Sequence, residues 1–372
     1  MEEIVPLSKP YTDEEEVNAV SEVIRSGRHS LGPKLKEFEE EFAKYIGIKY
    51  AAGVSSGTSG LHLCMKILDL KEGDEIITTP FSFIASSNCI IYERTKPVFV
   101  DIDEKTFNID VSKIEDKINN KTKAILPVHV FGHPCNIDEI IEIAERNNLR
   151  VVEDACESIG AEYKGIKTGK FGETAVFAFY PNKQITTGEG GMIVTDDEDY
   201  YKMIKSLSNQ GRSGNGEWLV HDNIGYNYRL NEMSAALGLV QLKKINEILE
   251  KRENVAKKYE EILKNIDGVS IPQINNDVKK SWFVYVIRLD DSIDRKIVMD
   301  KLNDKGISNN FYFPCIHLQP IYKKMFGYKE GDFPVCEKVS KSTLALPFFT
   351  QMDDKTIERV CNSLEEVISK YK

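Results

Sequence analysis

Lys183 stands in the run Ala178-Phe179-Tyr180-Pro181-Asn182-Lys183-Gln184-Ile185-Thr186-Thr187-Gly188-Glu189-Gly190-Gly191. A lysine amine can condense with an aldehyde and later serve as a base. Upstream, Arg150-Val151-Val152-Glu153-Asp154-Ala155 reads as a buried strand ending in an acid. An acid at a strand end, with a lysine ahead of a glycine-rich turn, suits pyridoxal phosphate (PLP) chemistry. The amine holds the cofactor as a Schiff base, and the carboxylate keeps the pyridine nitrogen protonated so that the ring serves as an electron sink.

PLP also needs a phosphate site and a flat partner for its ring. Ser55-Ser56-Gly57-Thr58-Ser59-Gly60 leads into the helical Leu61-His62-Leu63. A Gly/Ser/Thr turn entering a helix offers free N–H groups and the positive end of the helix dipole. The Thr58 hydroxyl adds a donor. Taken alone, such a turn is as well a plain helix cap; beside Lys183 and Asp154 the phosphate reading is the stronger. Phe83, in Pro80-Phe81-Ser82-Phe83-Ile84-Ala85-Ser86, follows another strand and is the candidate ring partner, its plainer reading being a core phenylalanine. Glu157, three residues beyond Asp154, is within reach of the same cofactor. The glycines of residues 188–191 suit backbone held close to a ligand or in left-handed turns.

Rival chemistries are poorly represented. The chain has no dinucleotide or Walker glycine motif and no His-Glu-x-x-His. His129 and His133 are four apart, but Gly132 and Pro134 make this a strand end and loop, with no third ligand evident, so no metal is expected. The seven cysteines are scattered without Cys-x-x-Cys spacing and read as reduced, buried thiols of a cytoplasmic protein.

These side chains need a scaffold. With 372 residues, 41% hydrophobic and 29% charged, the chain can bury a large core. A net charge of -10 disfavours nucleic acid and anionic membranes as principal partners. Met1-Glu2-Glu3-Ile4-Val5-Pro6 lacks a basic region followed by an apolar stretch, so no signal peptide is expected. No apolar run is long enough to span a bilayer. Thr12-Asp13-Glu14-Glu15 reads as a capping box for a helix that Gly27 stops, and Pro33 starts a second helix that Gly47 stops. Strand patterns at residues 75–79, 97–101, 123–130, 150–154, 175–180 and 192–195 alternate with helical ones such as 59–68 and 137–147. That alternation predicts an α/β domain with a mostly parallel sheet, whose ligand sits beyond the carboxyl ends of the strands. A helix over residues 231–265 reads as a bridge. Strands at 281–289 and 307–313 and helices at 294–305 and 353–370 then form a smaller α+β unit. The expected division is a large PLP-binding domain, residues 1–245 with the N-terminal segment, and a bridging helix with a small C-terminal domain, residues 246–372.

With these residues in place, the chain resembles the DegT/StrS family of PLP-dependent nucleotide-sugar aminotransferases. The resemblance covers nearly the whole chain. It rests on Ser56-Gly57-Thr58-Ser59-Gly60-Leu61-His62-Leu63, Glu153-Asp154-Ala155-Cys156-Glu157-Ser158, the Lys183 run, and Gly225-Tyr226-Asn227-Tyr228-Arg229-Leu230-Asn231-Glu232. His317-Leu318-Gln319-Pro320-Ile321-Tyr322 and Leu344-Ala345-Leu346-Pro347-Phe348 extend it.

The resemblance implies the aspartate-aminotransferase-like architecture (PLP fold type I) and a homodimer with shared active sites. It implies that Gly57, Thr58 and Ser59 bind the cofactor phosphate and that Phe83 stacks on the ring. Asp154 pairs with the ring nitrogen, Glu157 lies on the ring's hydroxyl side and Lys183 carries the cofactor. It further implies that Asn227 reaches the phosphate in the partner subunit's site, and that Arg229, Tyr312 and His317 meet a sugar nucleotide. Ala178, Tyr180 and Glu157 depart from the serine, histidine and glutamine common in the family, without removing a catalytic group. The expected reaction moves an amino group from L-glutamate to a keto-sugar nucleotide of the 4-keto-6-deoxy class. A PLP-dependent sugar dehydratase, or a non-enzymatic regulator on the same fold, is the alternative; retention of the lysine favours amino transfer.

Overall fold

The computed structural model of the chain describes residues 4–214 and 219–371; the first three residues of the segment read above for a signal peptide lie outside them. The strands β1 (Tyr50–Val54), β2 (Glu75–Thr78), β3 (Lys96–Phe99), β4 (Thr122–Ile125) and β5 (Arg150–Asp154) come first. A short hairpin, β6 (Glu162–Tyr163) and β7 (Ile166–Lys167), precedes β8 (Thr174–Ala178) and β9 (Gly191–Thr195). Seven of these form one sheet in the order β1-β9-β8-β5-β4-β2-β3. Neighbours are parallel except at β9, which runs antiparallel to both β1 and β8. This is the α/β, mostly parallel sheet that the alternation of apolar runs predicts.

Both faces of the sheet are covered, which is why its strands are apolar throughout rather than alternating. On one face the helix Pro33–Ile46 lays Phe38 and Phe42 against Phe177 and Phe179, with ring centroids 5.2–5.7 Å apart. On the other, the helix Gly57–Lys66 buries Leu61, Leu63 and Met65 in the largest core cluster. A second sheet, β10 (Val269–Ser270), β12 (Tyr285–Leu289) and β13 (Thr343–Leu346), carries the helices Arg295–Asp304 and Asp354–Tyr371 around its own core. Between them β11 (Val278–Lys279) pairs with β6.

Several boundaries differ from the sequence reading. The first helix, Glu14–Ser26, is capped by Asp13 rather than Thr12, and the reciprocal partner is Glu16. Glu16 is buried and held by Gln241 (2.8 Å) and Lys244 (3.1 Å), so tertiary contacts choose between two adjacent capping boxes. β4 ends at Ile125 because Pro127 cannot donate to the ladder. The helix expected over residues 231–265 is two, Glu232–Lys243 and Ile245–Leu263, joined at Lys244. The second joins the two cores, with Ile245 and Ile248 in one and Val255, Tyr259 and Leu263 in the other. Residues 307–313 are not a strand; they pair only at Ile307 with Val5 and at Asn310 with Ala345. The N-terminal stretch, expected with the large unit, docks on the small one through Val5, whose N–H donates to Gly306 O (2.9 Å).

Candidate active site

Six parallel strands end at one edge of the large sheet, and the reversed β9 begins there. The loops at that edge enclose a cavity of about 520 Å³, lined by Gly57, Thr58, Phe83, Asp154, Glu157 and Lys183, among others. Asp154 is the last residue of β5, and Lys183 lies in the turn between β8 and β9. Two features close that turn. Gly188 takes a left-handed φ of +79°, and at Gly191 a Cβ would lie 2.8 Å from the backbone of Ser56, so the turn and the phosphate segment touch directly.

Asp154 is buried, with its carboxylate fixed from two sides. The Cys156 N–H donates to Oδ1 (3.1 Å) and the Ser86 hydroxyl to Oδ2 (2.7 Å). Ser86 is a positioning residue that the sequence reading did not single out. A carboxylate held by only two donors retains capacity for a cationic N–H partner.

Lys183 Nζ stands 3.4 Å from Glu157 Oε1 and 3.9 Å from the centre of the Phe283 ring. Phe283 comes from the small unit and was not foreseen. It is held there by Arg252, which donates to Trp282 O and Phe283 O at 2.6 Å each. Burial pushes the Glu157 carboxyl above the usual carboxylate range, against the opposing pull of Lys183 and of the Phe131 N–H. Phe131 N donates to Glu157 Oε2 (2.8 Å) from a left-handed backbone (φ +53°), a conformation costing about 1–2 kcal/mol and clustering at functional sites.

The phosphate candidate is divided by the structure. Gly57 and Thr58 open the helix and line the cavity, where first-turn amides have no intrahelical acceptor. Ser59 is turned away: its N–H donates to Ser56 Oγ and its hydroxyl accepts from Ser56 N, both 3.0 Å, in a capping box. Thus the turn caps its helix through Ser56 and Ser59 and leaves Gly57 and Thr58 as the anion-site candidates. Phe83 is 60% exposed at the rim, not in the core.

Tyr312 lines the same cavity. Asn227 and Arg229 do not: Asn227 is exposed and pairs with Asn209, and Arg229 Nη1 donates to Asn209 Oδ1 (3.0 Å). His317 is fully buried, pairs with Glu337 (3.0 Å) and does not reach the cavity. Ala178 and Tyr180 line the cavity, so those two departures lie at the site itself. His129 and His133 are each engaged separately. His129 Nε2 meets Glu153 (3.0 Å) and its Nδ1 accepts from Cys135 N (3.1 Å), whereas His133 bonds Pro134 O (2.8 Å).

The residues present fit PLP. A buried carboxylate, a lysine amine, free amides at a helix N-terminus and an exposed aromatic ring share one cavity.

Comparisons with known proteins agree. Residues 10–365 match the DegT/DnrJ/EryC1/StrS aminotransferase family. The GDP-perosamine synthase of Escherichia coli O157:H7 is 36% identical over 98% of this chain and 99% of its own. The UDP-4-amino-4-deoxy-L-arabinose–oxoglutarate aminotransferase of Shewanella sediminis is 33% identical, over 98% of each chain. Among solved structures, the PLP form of the putative sugar aminotransferase Spr1654 from Streptococcus pneumoniae superposes with a TM-score of 0.95 at 26% identity, covering 99% of this chain and 100% of that one. A lysine and a carboxylate lining one cavity at the edge of a PLP fold type I sheet, with sequence likeness along nearly the whole chain, place this protein in the DegT/DnrJ/EryC1/StrS family of PLP-dependent sugar aminotransferases.

Proposed function

We propose that the protein transfers the amino group of L-glutamate to a keto-sugar nucleotide, of the 4-keto-6-deoxy class, to make an amino sugar nucleotide for polysaccharide or glycan assembly. The observation that carries this reading is Lys183 standing with Asp154 in one cavity at the strand ends. The relatives' names support a nucleotide-linked sugar as acceptor and the glutamate–oxoglutarate pair as amino source.

Bound PLP supplies the electron sink for the carbanion left when a Cα proton departs. Each surrounding residue then has a task. Asp154 accepts the protonated ring nitrogen's hydrogen bond, with Ser86 and the Cys156 N–H holding it in place. Gly57 and Thr58 receive the phosphate. Phe83 covers a ring face from the rim. Lys183 Nζ takes the proton from the donor Cα and, in the second half-reaction, gives one to the sugar carbon that receives nitrogen. Glu157 holds Lys183 on the cavity side of Phe283. Tyr312 meets the sugar nucleotide.

The same reading includes a homodimer in the cytoplasm. Leu219, Val220 and Ile224, the last 92% exposed, form an apolar stretch beside Asn227. Covering that stretch with a second copy would carry Asn227 and Arg229 toward the partner's cavity. No described helix is long and apolar enough to cross a membrane.

Incubating the holoenzyme with ¹⁵N-glutamate and a panel of keto-sugar nucleotides tests the reading. A labelled amino sugar nucleotide, identified by mass and NMR, is expected. A deoxygenated, unlabelled sugar would show a dehydratase instead.

A further inference from the structure

Cys315, His317 and Cys336 do not line the cavity described above, yet they form a tight group. One donor atom from each falls within 4.8 Å of the other two, and the two sulfurs are 3.3 Å apart. Cys315 and His317 belong to the turn that follows Phe313, and Cys336 lies in the helix Pro334–Ser342. All three are buried, with His317 at 0% exposure.

The histidine is the telling member. Its Nε2 is paired with Glu337 Oε1 at 3.0 Å, and its Nδ1 is buried with no hydrogen-bond partner. Glu337 is anchored in turn by the Gly331 N–H, 2.9 Å from both its oxygens. A ring nitrogen held to a carboxylate while the other faces no partner is the arrangement of a metal-ligating histidine, whose tautomer is set by its outer partner. An orphaned buried nitrogen otherwise costs about 1–3 kcal/mol.

We propose that Cys315 Sγ, His317 Nδ1 and Cys336 Sγ bind one zinc ion, with Glu337 as the carboxylate that orients His317. Zinc–sulfur bonds of about 2.3 Å and zinc–nitrogen bonds of about 2.0 Å place tetrahedral donors about 3.5–3.8 Å apart; here the sulfurs are 3.3 Å apart and all three donors lie within 4.8 Å, so small side-chain shifts would close the site. Binding releases the two thiol protons to solvent. Two thiolates and a neutral imidazole cancel the zinc charge, which suits a buried site better than a monovalent ion would.

The ion would be structural, and its position says what it stabilises. Ile316 N donates to Pro80 O (2.9 Å), at the start of the segment carrying Phe83. Asp101 accepts from Val335 N (3.0 Å) and Cys336 N (2.9 Å), and Ser340 donates to Phe313 O (2.8 Å). Zinc would therefore tie the turn bearing Tyr312 and Phe313, a wall of the active-site cavity, to a helix already fixed on the large unit.

The test begins with metal content. Holoenzyme purified without chelator from zinc-supplemented cells should retain one zinc per chain through gel filtration. Chelator-stripped, reduced protein titrated with cobalt(II) should saturate at one equivalent, with thiolate-to-cobalt charge-transfer absorption that Cys336→Ser lowers to about half or less, one of the two thiolates being lost. Glu337→Gln should weaken zinc affinity by about 10–100-fold while both thiols remain. Should the serine variant fail to fold, the wild-type cobalt titration decides alone. Wild-type protein with no zinc above background and no cobalt absorption overturns the proposal. So does an intact mass short by two hydrogens with both thiols lost, which would make the pair a disulfide.

Discussion

In the proposed function, Lys183 and Asp154 divide the work between a mobile proton and a fixed charge. Lys183→Ala should lower transfer by at least about 10²–10⁴-fold, with circular dichroism and thermal midpoint little changed, because the side chain borders the cavity, beside Glu157 and Phe283. Asp154→Asn preserves an acceptor for Cys156 N–H but loses the charge. Breaking a buried ion pair costs about 3–5 kcal/mol, so turnover should fall by about 10²–10⁴-fold, measured at saturating PLP. An unchanged rate in either variant would remove that residue from the chemistry. Both residues were legible in the sequence because a lone lysine before a glycine-rich turn and an acid ending an apolar strand have few other uses. Ser86 and Phe283 were not legible. A serine in a short helix and a phenylalanine in the other unit carry no local mark of what they touch. Ser59 and His317, expected at the site, do not line the cavity; a capping hydroxyl and a buried, paired histidine have the same letters as ligands.

The helix Gly57–Lys66 does two things with its first turn. Ser56 and Ser59 satisfy one another, leaving the Gly57 and Thr58 amides for an anion. Ser56→Ala should cost about 1 kcal/mol in urea unfolding and also weaken PLP affinity. A stability loss with unaltered PLP affinity would separate the cap from the phosphate site. Gly57 admits no larger residue, because a Cβ there would meet Ala178 Cβ at 2.8 Å. At this scale the alternation of strands and helices was readable from apolar runs, and the stops at Gly27 and Gly47 from glycine alone. β1 escaped notice because Tyr50-Ala51-Ala52-Gly53-Val54 has weak strand propensity and is held in place by β9. The break at Lys244 escaped too: its ion pairs with Asp13 (2.8 Å) and Glu16 (3.1 Å) are contacts across some 230 residues.

The helix Ile245–Leu263 joins two of the cores, while Phe283 and Tyr312, from the C-terminal part of the chain, pack into the core of the large sheet and line the cavity with Lys183 and Asp154. Acid should open this structure in a defined window. Burial holds His133 down to about 4, from 6.5, so the unfolded chain takes up its proton first. The stability involved is fully present above pH 6.5 and is lost as pH falls through about 4, amounting to about 3 kcal/mol. Burial pushes Glu153 upward, but His129 and the backbone N–H groups of Gly169 and Gly172 outweigh it and hold the carboxyl low. Its contribution is therefore lost further into acid. Thermal midpoints measured from pH 8 to 4 should fall below pH 6.5, and His133→Gln should flatten that decline. An identical slope in the variant would assign the acid sensitivity elsewhere.

The central claim is that one amine in this chain holds the cofactor opposite one buried acid. Borohydride reduction of the PLP-loaded enzyme, followed by digestion and mass mapping, tests it most directly. The predicted result is a single pyridoxyl-modified peptide with the mass on Lys183. Modification of a different lysine, or of none, contradicts it.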